Sequence, residues 1–241
     1  MKNQIRNTVR QGFTLMETVI AIGVIAVLIT GFIAVFAPAV DGIRRSITAE
    51  EASRLTTTLE RELVTLRPGE EMPDVNTGFA KAFRFIRDSN NPDQALLIYQ
   101  YRGSLNAQRA DDTPTPVHDA GGVAGTDFVT VSMVRRISDP LLSDDLQALE
   151  GRIFVVRCTQ LVYDENGALV RGVPGQISDP KGGGVPADTA ANYPEAVLTF
   201  AADFFLVPSR SPQYLQGPSF ASYFEDRMVR PMFTRNLAVR R

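Results

Sequence analysis

The chain has 241 residues, 44% of them apolar and 22% charged, with 25 basic against 27 acidic side chains and a single cysteine. The length gives room for one sizeable domain besides an N-terminal segment, and the composition is that of an ordinary globular protein. The near-neutral balance argues against a generally nucleic-acid-binding surface, and one cysteine excludes an intrachain disulfide.

Residues 1–12 form a short basic leader carrying Lys2, Arg6 and Arg10 and ending in Gly12. Phe13-Thr14-Leu15-Met16-Glu17 follows, and an apolar run then continues to Val40. Val19 to Val40 is 22 residues, enough to span hydrocarbon as a helix. Glu17 therefore falls inside a membrane-type helix, where a carboxylate costs roughly 3 kcal/mol on insertion scales and is a functional candidate by default. No Lys, Arg or His lies within the apolar run, so no side chain inside the segment can neutralise Glu17. The leader is not of the Sec type: the apolar segment is too long, and Ala37-Pro38-Ala39 has a proline where a small-x-small cleavage site would sit. The three leader cations favour a cytoplasmic N-terminus. Arg44 and Arg45 oppose this, softened by Asp41, Glu50 and Glu51.

Gly12-Phe13-Thr14-Leu15-Met16-Glu17 next to a basic leader, with an apolar stretch behind it to about Ala37, resembles the class III signal peptide of type IV pilins and type II secretion pseudopilins. The match covers about a tenth of the chain. The resemblance implies that a membrane-embedded prepilin peptidase cuts between Gly12 and Phe13, and that the new Phe13 amine is N-methylated. It implies that Glu17 pairs with the Phe13 amine of a neighbouring subunit, so that a filament grows from the inner membrane. Loss of the leader leaves 229 residues, with 22 basic against 27 acidic side chains. It also implies a pilin-like fold, a single-pass inner-membrane location and a C-terminal domain in the periplasm or on the cell surface. The J-type minor pseudopilin of type II secretion is similar in size and layout.

Residues 13 to about 67 read as one long helix, a transmembrane half over 13–40 and an amphipathic half over 41–67. Gly31, Pro38 and Gly42 cluster in its middle. A proline removes one backbone donor and clashes with the preceding turn, so a kink or local melting is expected near residues 34–38, with Pro38 and Gly42 as the kink residues. The resemblance suggests the same bend. Beyond Gly42, residues Ala52, Leu55, Leu59, Leu63 and Leu66 fall within an arc of about 80°, a stripe fit to pack on the C-terminal domain. Ile43 and Ile47 lie on a different face, for neighbouring subunits or for partial burial within the molecule. Arg67-Pro68-Gly69 stops the helix.

Residues 68–241 read as a mostly β globular domain. Candidate strands are Ala82 to Arg87, Ala95 to Tyr101, Phe128 to Val134 with Val129, Val131 and Met133 on one face, Arg152 to Tyr163, and Ala168 to Arg171. Asp164-Glu165-Asn166-Gly167 between the last two is the best hairpin signal of the chain. Ala196 to Val207 is apolar at nearly every position and is expected to be central and covered on both faces. Residues 103–126, 172–194 and 208–219 read as loops. Short helices are expected over Asp139 to Leu149 and Phe220 to Arg227, and the tail carries Arg230, Arg235, Arg240 and Arg241. The expected class is α+β, a long N-terminal helix packed on a C-terminal antiparallel sheet.

No catalytic constellation emerges. His118 is the only histidine, in a loop, and nothing places it beside a serine or Cys158 with an orienting acid. One His and one Cys exclude a zinc site built from such ligands, and Cys158 reads as a buried inert thiol. Asp88, Asn90, Asp93, Asp111 and Asp112 offer oxygens, but the calcium-loop pattern fails among them and turn formation explains them better. Gly121, Gly122 and Gly125 do not lie between a strand and a helix, so they form no phosphate cradle. No enzyme activity, metal or cofactor is expected, and no nucleic-acid partner. The expected partners are prepilin peptidase, the inner membrane, and other pilin or pseudopilin subunits reached through the N-terminal helix. The leading function is a structural subunit, a minor pilin or pseudopilin, of a type IV pilus-like or type II secretion filament. The alternative is a pilin-stalked binding module, an adhesin or a DNA uptake receptor.

Overall fold

A computed structural model describes residues 15–70, 73–181 and 185–241, with side chains given outside 35–53. The chain forms two compact units, one ending at Glu51 and one running from Ala52 to Arg241. The first is the apolar part of helix α1 (Leu15–Val64). The helical assignment runs unbroken through Pro38 and Gly42, so the backbone is not melted there. The side chains of Pro38, Gly42, Ile43, Ile47 and Ala52 lie outside the described residues.

The second unit begins with the last turns of α1. Leu55, Leu59 and Leu63 are buried as their spacing predicts, and Leu66 is half-buried. Helix α2 (Gly78–Asp88) replaces the expected strand over Ala82 to Arg87. The cause lies upstream of that window. Thr77 caps the helix by accepting a hydrogen bond from the Ala80 N–H at 3.1 Å. Phe79, Phe83 and Ile86, four and three residues apart, form one buried face. Gly78 is required because a Cβ there would meet the Val64 carbonyl oxygen at 2.1 Å.

Next come strands β1 (Leu96–Gln108), β2 (Pro114–Pro116) and β3 (Val129–Arg136), helix α3 (Leu142–Gln147), and strands β4 (Leu149–Tyr163), β5 (Leu169–Arg171) and β6 (Val197–Leu206). Helices α4 (Pro212–Leu215) and α5 (Pro218–Ser222) lead through a π-turn over Tyr223–Arg227 to strand β7 (Phe233–Arg240). The Asn166-Gly167 signal marks a true hairpin: Tyr163 pairs with Leu169, and Asp164 Oδ1 accepts from the Asn166 and Ala168 N–H groups. Gly167, at φ +77°, supplies the left-handed turn. Two loop expectations need correction: β1 extends to Gln108 and β2 lies within 103–126, and α4 and the start of α5 lie within 208–219. Arg235 and Arg240 of the basic tail lie in strand β7.

All named pairings are antiparallel, in the order β2-β1-β4-β6-β7, with β3 on β1 and β5 on β4. The protein is thus α+β. Strand alternation divides the core into two clusters. Leu96, Ile98, Phe154, Val156, Phe200 and Phe204 join α1 and α2 in one. Leu97, Tyr99, Tyr101, Val155, Phe205 and Val207 join α3, α4 and α5 in the other. The sheet is therefore covered by helices on both faces, as the apolar run of β6 anticipated, although only the long N-terminal helix was expected to pack on it.

Candidate functional site

Two regions concentrate unusual chemistry. The first is Leu15–Ala34, a 20-residue apolar stretch of α1 in which no residue is buried. At about 1.5 Å rise per residue it spans roughly the 30 Å of a bilayer hydrocarbon core. Glu17 is its only ionisable residue and sits in its first turn, where the helix dipole favours negative charge. Polar side chains further along turn inward on the helix backbone: the Thr18 hydroxyl donates to the Leu15 carbonyl and Thr30 to Ala26, both at 2.8 Å. The flanks carry large apolar side chains, Leu15 and Val27 among the most exposed. Gly12 and Phe13 lie outside the described residues.

The second region is a buried polar network on the α3 side of the sheet, which sequence reasoning missed. Arg135 is its hub. Its guanidinium donates to Asp145 at 2.8 Å, to Asp111 at 2.7 Å and to Asp139 at 3.0 Å. Asp145, wholly buried, also accepts from Arg109 at 2.6 Å and from the Tyr99 hydroxyl at 2.5 Å. These bonds tie β3, β1, the β1–β2 turn and α3 together. Burial works against ionising Asp111, but hydrogen bonds from Thr113 and Arg135 outweigh it and lower its pKa to about 2. Burial likewise raises the Tyr99 hydroxyl well above its ordinary value, and the Asp145 charge adds to this. A sequence signal for the hub did exist. Arg135 continues the alternation of Val129, Val131 and Met133, and a cation on an inward register needs buried acids.

The other singled-out residues are spread apart and engaged. His118 Nε2 lies 3.2 Å from Asp144 and is half exposed. Cys158 is buried, and burial pushes its thiol up to about 12. Its N–H donates to Ser89 Oγ at 2.8 Å. Asp88 meets arginines, Asn90 donates to the Cys158 carbonyl, and Asn91 accepts from the Asp93 N–H. Among the described residues no group of three His, Cys, Asp or Glu side chains is placed to hold a metal. Among the loop glycines, Gly121 donates its N–H to Asp119 and Gly125 donates to the Phe128 carbonyl, while Asp127 accepts from the Val123 N–H. In the tail, Arg241 donates to the Ala190 and Tyr193 carbonyls and covers the Phe79 ring, while Arg230, Arg235 and Arg240 are exposed.

No protein-family model, curated protein or solved structure matches this chain.

Proposed function

We propose that this chain is a structural subunit of a pilus-like or type II secretion filament, a minor pilin or pseudopilin anchored in the inner membrane through α1. The observation that carries this reading is the motif itself: Gly12-Phe13-Thr14-Leu15-Met16-Glu17 directly precedes and enters an apolar helix whose only ionisable group is Glu17. An ionised carboxylate in hydrocarbon needs a cation. In this reading prepilin peptidase frees an amine at Phe13, which is then N-methylated, and the Phe13 amine of one subunit neutralises Glu17 of the next. The large apolar surface of Leu15–Ala34 supports the reading, since it needs lipid or neighbouring helices to cover it. Pro38 and Gly42 are assigned as the bend that fits the helix to its neighbours. The role assigned to the C-terminal domain is structural rather than catalytic, in the periplasm or on a surface filament. The size of the mature chain and its long loops favour a minor position over a densely packed shaft.

The deciding experiment is intact mass and N-terminal sequencing of the protein purified from membranes of its native host. The expected start is N-methylated Phe13. A start at Met1 reduces the motif to coincidence, and a start near Val40 points to a secreted soluble domain.

A further inference from the structure

Strand β7 stands at one end of the sheet order β2-β1-β4-β6-β7. It pairs with β6 along its whole length, from Phe233 opposite Phe204 to Arg240 opposite Val197. Among the described residues no hydrogen bond reaches the backbone on its other side. Alternate N–H and C=O groups of an edge strand point away from the sheet, and such a row is a template for one more strand. The other edges offer less. β2 and β5 are three residues each, and at β3 the Ser132 carbonyl accepts from Arg61.

The charge along this edge is one-sided. Val229 to Arg241 carries Arg230, Arg235, Arg240 and Arg241 and no acid, in a chain with 27 acidic against 25 basic side chains. Arg235 and Arg240 are exposed, and among the described residues neither side chain has an ion pair, a hydrogen bond or a ring contact. The acid on the neighbouring strand, Asp203, is already engaged: it accepts from both terminal nitrogens of Arg171 and from the Thr234 hydroxyl at 2.5 Å. Side chains alternate along a strand, so residues five apart lie on opposite faces. Arg235 shares the face of Leu237 and Val239, and Arg240 that of Asn236 and Ala238. A second β7 laid alongside would bring arginines toward arginines, which disfavours another copy as the occupant. A nucleic-acid strand would need aromatic platforms, and the one ring of β7, Phe233, is half-buried and stacked on Phe204 with centroids 4.3 Å apart.

We propose that the free edge of β7 takes up an extended acidic segment of a partner protein as an added antiparallel strand, with its carboxylates on Arg235 and Arg240. Main-chain hydrogen bonds supply the pairing, and the two arginines select the partner. The register sets the pattern of the segment: two acids five residues apart, one on each face, with β-branched residues opposite Leu237 and Val239. The inference rests on β7 alone and does not depend on the filament reading.

The test is fluorescence anisotropy of a labelled peptide, Thr-Glu-Val-Thr-Val-Thr-Glu-Thr amide, titrated with the full chain in detergent. Saturable binding is expected, with the same peptide carrying Lys for both Glu roughly ten-fold weaker or worse. Two further peptides are N-methylated at alternate backbone nitrogens, one at the odd and one at the even positions. An added strand turns only one set of nitrogens toward β7, so one of these peptides should bind roughly ten-fold more weakly and the other about as the parent does. The double variant Arg235→Glu with Arg240→Glu, changed only at exposed positions, should bind the Glu peptide more weakly by a similar factor and the Lys peptide more tightly than the unaltered chain does. No saturable binding, equal binding of the Glu and Lys peptides, the same affinity for both methylated peptides, or unchanged binding by the double variant overturns the proposal. So does an eight-nucleotide thymidylate strand that binds more tightly than the Glu peptide.

Discussion

Glu17 and Asp111 are both acids whose charge has to be met, and their solutions differ. Asp111 is answered within its own domain by Thr113 and Arg135. In our reading Glu17 is answered by the amine of another subunit. Glu17→Val should therefore leave a protein that is processed and stable but missing from the sheared filament fraction; normal incorporation would show the charge to be unnecessary. For Asp111 the folded pKa, about 2, lies below the unfolded carboxylate value of about 3.9. Its contribution to stability is present above the unfolded value and is lost as pH falls toward 2. Asp203, also lowered, loses its contribution in the same direction: burial opposes ionisation but Arg171 and Thr234 prevail. Denaturation midpoints should fall between pH 4 and pH 2.5, and Asp111→Asn should make that fall shallower. Glu17 stood out in the sequence because its neighbours there are uniformly apolar. The Arg135 network did not, because Asp111, Arg135 and Asp145 become neighbours only when β3 and α3 meet the β1–β2 turn.

At the scale of elements, legibility followed the length over which a period is sustained. The leucine stripe of α1 and the apolar run of β6 were plain: Leu55, Leu59 and Leu63 are buried, as is β6 between its exposed ends Val197 and Leu206, apart from half-buried Thr199. Strand β7 was hidden because Arg235 interrupts the inward register of Phe233, Leu237 and Val239, while Asn236 and Arg240 lie on the opposite face. Helix α2 was misread because Ala82 to Arg87 is too short a window to separate the two periods. The deciding residue is the cap, Thr77. Thr77→Ala should lower stability by about 1 kcal/mol, read from the shift in a urea midpoint. No loss would mean that burial of Phe79, Phe83 and Ile86 holds the helix without its cap.

For the whole molecule, the α+β class was legible because a long apolar helix and a set of short alternating runs are distinct patterns. The second helical layer was legible only in part: the helix expected over Asp139 to Leu149 is α3, whereas α4 and the start of α5 fall where a loop was expected. Helices α3, α4 and α5 are six residues or fewer, below the length at which periodicity declares itself, and they bury Leu142, Leu146, Leu215 and Phe220 against the sheet. With a core on each face, the unit from Ala52 to Arg241 has what it needs to fold without the apolar helix. That fragment should melt in a single cooperative transition in plain buffer. A broad, non-cooperative melt would show that the apolar segment is needed for the domain to fold.

The placement of β7 also sets an order of events at synthesis. Leu237 and Val239 belong to the same cluster as Leu59 and Leu63, yet they leave the ribosome after every other buried member of it. At about 5–20 residues per second, roughly ten to forty seconds separate the two ends of that cluster. During that interval the leucine stripe is made but the strand that completes its core is not. In our membrane-anchored reading, a nascent chain held by its apolar helix would keep those leucines near the bilayer surface until β7 arrives, and a chain released early would carry them bare into water.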